Sequence, residues 1–169
     1  MPSPQMKPAI TVLILMITLA CSAQNYTRDA GIRIGTLPGI TYRQYLDEIE
    51  SVEAHAVFGG NGMRLRVLKQ FSKPALMQFS DNITFTYGYG AHAGISYYRS
   101  YKFLSRNYNL YKRRIGPAIG LDAYLSLEYN IREYPLIVGI NAVPFFEFST
   151  NRIFYIFLDD TAISIKYKF

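Results

Sequence analysis

Residues 162–169 read Ala-Ile-Ser-Ile-Lys-Tyr-Lys-Phe. Ile163, Ile165, Tyr167 and Phe169 fall on one face, and Ala162, Ser164, Lys166 and Lys168 on the other. A repeat of two is the side-chain period of a β-strand, here with one apolar and one polar side. The apolar side carries through to the last residue, an aromatic one. A chain end frays in water unless it is tied down. The pattern therefore predicts a terminal strand that is paired and whose apolar face is covered.

The same period recurs upstream. It is clearest over residues 83–97, where Ile83, Phe85, Tyr87, Tyr89, Ala91, Ala93, Ile95 and Tyr97 oppose Thr84, Thr86, Gly88, Gly90, His92, Gly94 and Ser96. Such a run is longer than the roughly 3–10 residues of ordinary strands. It suits a tilted strand crossing a bilayer, which needs about 9–11. Further alternating runs cover 30–36, 40–46, 52–58, 63–71, 119–131 and 136–148. The fourth of these slips, with Leu68 on the polar side and Lys69 on the apolar one, where a long cation can snorkel to a membrane boundary.

The connections follow from turn chemistry. Gly59-Gly60-Asn61-Gly62 is a hairpin signal. Leu37-Pro38-Gly39 reads either as a turn or as a bulge within one long strand. Residues 47–50 and 132–135 are short turns, and 72–82 is a connection containing Pro74. Residues 98–116 form a long, basic, aromatic connection. Residues 149–160 form a loop with an extended aromatic piece at 153–157. Taking Leu37-Pro38-Gly39 as a turn gives eight strands and puts both termini on one side. The expected fold is all-β: a closed, antiparallel, eight-stranded up-and-down transmembrane β-barrel.

The 169 residues fit one domain after a leader. Lys7, an apolar run over 9–20 and the small pair Ser22 and Ala23 read as a secretory signal peptide over 1–23, leaving a single barrel domain at 24–169. The run is too short for a membrane helix, which needs about 20 residues. Cys21 also permits a lipoprotein reading, but in Thr18-Leu19-Ala20 before it the usual apolar residue three positions ahead of the Cys is missing. The chain has a single Cys, so neither a disulfide nor thiol chemistry is expected in the mature protein. Fifteen Tyr and 11 Phe stand against no Trp, an unusual balance for a membrane aromatic belt. The net charge of +6 is modest, and no segment resembles a nucleic-acid module.

Alternation does not say which face is inside. A soluble lipocalin-like barrel turns its apolar face inward around a ligand; a membrane barrel turns it toward lipid. The apolar faces are too bulky to share an eight-strand interior, while the polar faces are rich in Gly, Ser, Thr and charges of both signs. This favours the membrane arrangement. The lumen would then hold Arg33, Arg43, Arg64, Arg66, Lys166 and Lys168 with Glu53, Asp122, Glu128 and Glu147. An unpaired buried charge costs several kcal/mol, so these groups should pair into a plug.

The terminal Phe169 with Tyr167 two residues before it resembles the assembly signal of outer-membrane barrels. With Gly31-Ile32-Arg33 ahead of Gly39-Ile40-Thr41-Tyr42, residues 88–94 (Gly-Tyr-Gly-Ala-His-Ala-Gly), and Gly120-Leu121-Asp122 leading to Leu127-Glu128-Tyr129, the chain resembles the small OmpX-like and OmpA-transmembrane-domain-like barrels of Gram-negative bacteria. The resemblance implies a cell outer-membrane location, a monomer, and contact with outer-membrane lipid, lipopolysaccharide and the barrel-assembly machinery. It implies no cofactor, metal or nucleic acid. The group includes adhesion, structural and lipid-modifying members, so fold does not carry function.

His92 invites a lipid A deacylase reading, in which a Ser stands two residues from the His on the lipid face. Here position 94 is Gly and His92 falls on the lumen side. The expected role of His92, and of His55, is a hydrogen bond to a lumen carboxylate. No metal-ligand spacing is present. The basic residues Arg99, Lys102, Arg106, Lys112, Arg113 and Arg114 are candidates for lipopolysaccharide phosphates, which Arg grips in bidentate fashion; the plainer alternative is a solvated loop.

Overall fold

The computed structural model describes residues 27–59, 62–74, 82–103, 106–131, 133–150 and 152–169, with the backbone alone at 74, 98–103, 106–114, 152 and 153. The expected leader over 1–23, Cys21 and the Gly60-Asn61 corner lie outside the described residues.

Ten strand segments make up the described chain. They are β1 (Arg28–Gly35), β2 (Gly39–Tyr45), β3 (Glu50–Gly59), β4 (Gly62–Pro74), β5 (Ile83–Phe103), β6 (Arg106–Ile131), β7 (Leu136–Ala142), β8 (Phe145–Ser149), β9 (Arg152–Phe157) and β10 (Thr161–Lys168). Neighbours β1 to β7 pair in sequence order, β7 pairs with β10, and β10 pairs with β1, all antiparallel. That closes a ring of eight strands, with β8 and β9 attached beyond β7 on the wall of β6.

The seam is made by the stretch quoted first. Residues 162–168 of β10 pair with 29–35 of β1, from Ala162 opposite Gly35 to Lys168 opposite Asp29. Arg28 and Phe169 then exchange backbone hydrogen bonds of 3.2 and 2.9 Å. Closure removes the free edge that an open sheet would present.

Leu37-Pro38-Gly39 joins β1 to β2 as a turn, since the strands on either side of it pair with each other. Gly59 ends β3 with φ 117°, the left-handed region that only glycine enters without strain. At the opposite end of the barrel, Asp47 accepts from the amides of Glu50 and Ile49, which hold its carboxyl below the usual range.

Two expectations need correction. Residues 98–116 are not a loop: β5 and β6 stay paired out to Phe103 opposite Arg106, so the basic stretch lies on a hairpin that outreaches the barrel. Two strands with alternating residues can keep exchanging backbone hydrogen bonds past the point where their neighbours stop. The loop read over 149–160 is in large part strand: the extended aromatic piece expected within it at 153–157 is there as β9.

The seventh run, read as one strand, is interrupted at Val143-Pro144, because Pro has no N–H to give the ladder. Its register on β6 nevertheless continues unbroken, with Leu125 opposite Ala142 and Asp122 opposite Phe145. The eighth wall does shift. Ala142 lies opposite Thr161, but Phe145 lies opposite Phe157, so residues 158–160 contain one extra residue, a β-bulge. Leu158 and Asp159 are both exposed, and Asp160 turns inward.

Candidate functional site: the charged lumen

The alternation resolves with apolar side chains out and polar ones in. Ile34, Ile40, Leu65, Ile119, Leu125, Ile140 and Ile163 are exposed on the outer wall, while Arg33, Arg43, Arg66, Glu53 and Lys166 are no more than 1% exposed inside it. Every charged residue assigned to the lumen from the sequence lies on the inner face, with Lys168 half-buried near the rim, where its ammonium donates to Asn130 at 2.7 Å.

These charges form two clusters. The first sits toward the end that carries both termini. Arg43 Nε donates to Asp29 Oδ2 at 2.8 Å, and its Nη1 meets Glu128 Oε2 at 2.9 Å. Lys166 Nζ bridges Glu53 at 2.7 Å and Glu128 at 3.0 Å. The Gln70 amide also donates to Glu53, and His55 Nε2 lies 3.3 Å from Glu53 Oε1.

The second cluster is a chain of alternating charge. Asn141 accepts from Arg33 Nε at 2.7 Å, and Arg33 Nη2 meets Asp160 Oδ1 at 2.9 Å. Asp160 Oδ2 is 2.6 Å from Arg66 Nη1, and Arg66 Nε is 3.1 Å from Asp122. Asp122 holds His92 Nδ1 at 2.9 Å, whose Nε2 faces Glu147 at 3.4 Å. Arg64 closes the chain on Glu147 at 2.6 Å. Phe145 caps this end. The guanidinium carbons of Arg64 and Arg66 lie 5.0 and 5.1 Å from its ring centre, and Leu37 and Val57 bury against it.

An apolar collar of Leu68, Tyr124 and Val143 stands between the clusters. Along β6 the inward order is Asp122, Tyr124, Ser126, Glu128; along β4 it is Arg66, Leu68, Gln70. The slip at Leu68 is thus the collar itself. Among the described residues no ion pair joins the two clusters.

Chemically the lumen is a set of mutually paired charges, among which Asp29 Oδ1, Arg43 Nη2 and Arg66 Nη2 are buried without a hydrogen-bond partner. Ser96 donates to the Glu147 carboxylate at 3.0 Å, and both nitrogens of His92 face carboxylates. The described residues hold no group of three or more metal-ligating side chains. His92 fits only because residue 120, its cross-strand partner on β6, is glycine: a Cβ there would collide with the imidazole.

Asp29 and Asp160 are the members that alternation did not place, since Asp29 precedes the first alternating run and Asp160 falls in the segment read as a loop. Tyr45, which alternation puts on the same face as Arg43, donates its hydroxyl to Asp29 at 2.8 Å. Tyr167 and Phe169 lie on the outer face at the seam, with Phe169 6.4 Å from Tyr42. Arg99, Lys102, Arg106, Lys112, Arg113 and Arg114 lie on the backbone of the tall β5–β6 hairpin, their side chains outside the described set. No protein-family model matches the chain, and no curated protein matches it.

Proposed function

We propose that this protein is an integral outer-membrane β-barrel of structural, adhesion or surface-interaction type, its lumen closed by its own side chains. One observation carries the reading: the burial pattern is the reverse of a water-soluble barrel. The exposed wall is built of Ile, Leu, Val, Phe and Tyr, whereas the interior holds ion pairs. A contiguous apolar surface of this extent is costly in water and favourable in lipid. A soluble ligand-binding barrel would instead need an apolar interior.

In this reading the termini and the turns around Asp47 and Tyr134 face the periplasm, and the β5–β6 and β8–β9 hairpins face outward with the tight turns after β1 and β3. The six basic residues of the β5–β6 hairpin meet lipopolysaccharide phosphates. Tyr167 and Phe169 present the assembly signal. The lipid-modifying alternative draws no support from His92, which is 4% exposed and held between carboxylates behind the wall.

The test is insertion of the purified chain into phospholipid vesicles, followed by gel mobility before and after boiling. A heat-modifiable, vesicle-bound band is expected; a folded monomer that stays in solution and does not enter the vesicles overturns the proposal. Leu125, exposed on β6, gives the sharper check. Leu125→Arg should destabilise the inserted barrel by about 2–4 kcal/mol near the midplane, read from urea unfolding in vesicles. Unchanged stability would reverse the assignment of the two faces.

A further inference from the structure

The outer wall is almost free of charge. Among the described side chains its strands carry Arg28 and Glu50 near their ends and Lys69 and Lys73 on β4. Both lysines sit among rings. Across the β4–β5 ladder Lys69 faces Tyr89, Phe71 faces Tyr87 and Lys73 faces Phe85. The Lys69 ammonium lies 5.2 Å from the Phe71 ring centre and that of Lys73 5.5 Å from Tyr87, while Phe71 and Tyr87 stack at 5.7 Å. Glu50 meets Lys69 at 2.9 Å, which leaves the patch one net positive charge.

A groove of about 420 Å³ opens on the same wall beside Tyr89, lined by Leu121, Pro144, Phe146, Ile156 and Leu158. Its walls come from four strands, β5, β6, β8 and β9. Ala123 leaves its floor low, and the bulge at 158–160 turns Leu158 outward into it. Three strand spacings make it about 15 Å across.

We propose that Lys69, Lys73 and this groove bind one anionic glycerophospholipid, its phosphate on the two ammonium groups and one acyl chain in the groove. The proposal rests on the membrane reading above and deepens it by naming a lipid class. Charge complementarity selects the headgroup: an anionic lipid supplies a negative charge that a zwitterionic one cancels with its own ammonium. Position agrees, because β4 runs toward Pro74 at the end that carries both termini. That end faces the periplasm in the reading above, where the lipid is phospholipid. The groove adjoins Lys69 through Tyr89, which faces Lys69 across the ladder and lines the groove.

The test titrates the full chain, folded in detergent micelles, with phosphatidylglycerol and with phosphatidylcholine of the same acyl chains, and counts bound lipid by native mass spectrometry. Wild type should retain one phosphatidylglycerol about tenfold more tightly than phosphatidylcholine, since a basic side chain near an anionic lipid surface contributes on the order of a few-fold to tenfold. Lys69→Gln with Lys73→Gln should bring the two lipids level. Ala123→Phe, which fills the groove, should weaken both lipids alike, and Ala123→Leu serves if the larger ring impairs folding. Equal binding by wild type, or a preference that survives the double substitution, overturns the headgroup assignment. Undiminished binding by both Ala123 variants overturns the chain assignment. Vesicle insertion separates the two levels: a wild-type chain that stays soluble defeats the membrane reading, whereas one that inserts but binds both lipids equally defeats this inference alone.

Discussion

The two charge clusters of the lumen are made of the same groups yet built differently. The one near the termini sets three carboxylates, Asp29, Glu53 and Glu128, against Arg43 and Lys166. Two cations serve three carboxylates and share Glu128, so the loss of Arg43 leaves Asp29, and the loss of Lys166 leaves Glu53, without a cation. The other sets Asp122, Glu147 and Asp160 against Arg33, Arg64 and Arg66, with His92 in the middle. There three guanidinium groups match three carboxylates, and most groups keep a second partner when one is removed. Fewer cations than carboxylates make a brittle cluster. Matched numbers make a tolerant one.

Substitutions can break that contrast. Lys166→Met keeps the length of the side chain but strands Glu53 and Glu128 around Arg43. It should cost about 3–5 kcal/mol, the penalty for breaking a buried pair, measured by urea unfolding in vesicles. Asp160→Asn should cost less, about 2 kcal/mol, because Arg33 keeps Asn141 and Arg66 keeps Asp122. If the order of these two costs were reversed, the contrast would fail. Tyr45→Phe removes only the hydroxyl that donates to Asp29 and should cost about 1 kcal/mol. Smallest of all is the expected coupling between Lys166→Met and Asp160→Asn. The clusters share no partner, so the double variant should match the sum of the singles within about 0.5 kcal/mol. A larger discrepancy would mean that the collar of Leu68, Tyr124 and Val143 does not insulate them.

The same two clusters show what could be read from the sequence. Arg33, Arg43, Glu53, Arg64, Arg66, Asp122, Glu128, Glu147, Lys166 and Lys168 all sit on alternating strands, and the period of two assigns each to the inner face. The closing seam between β10 and β1 follows from the same pattern. Which carboxylate meets which cation does not follow, since partners such as Arg64 and Glu147 lie on walls far apart in the chain. Asp29 and Asp160 escaped because alternation weakens before Ala30 and breaks at Leu158-Asp159. The tall β5–β6 hairpin escaped because a basic, aromatic stretch has the composition of a loop even where its backbone stays paired. Lys69 and Leu68 appeared as an error in the repeat. In the structure one belongs to the collar and the other to the outer patch.

The bulge at 158–160 makes chain length a question of odd and even. Each residue of a barrel wall is a vote for one side, and a single added residue reverses every vote after it. Remove one residue between Phe157 and Asp160, and either β9 or β10 must turn its face. Phe154 and Ile156 would enter the lumen, or Lys166 and Ser164 would enter the surroundings. Two residues added or removed together would restore the count. Indels in this corner should therefore be tolerated in pairs and rejected singly, a spacing rule that a collection of selected length variants would reveal without any measurement of structure.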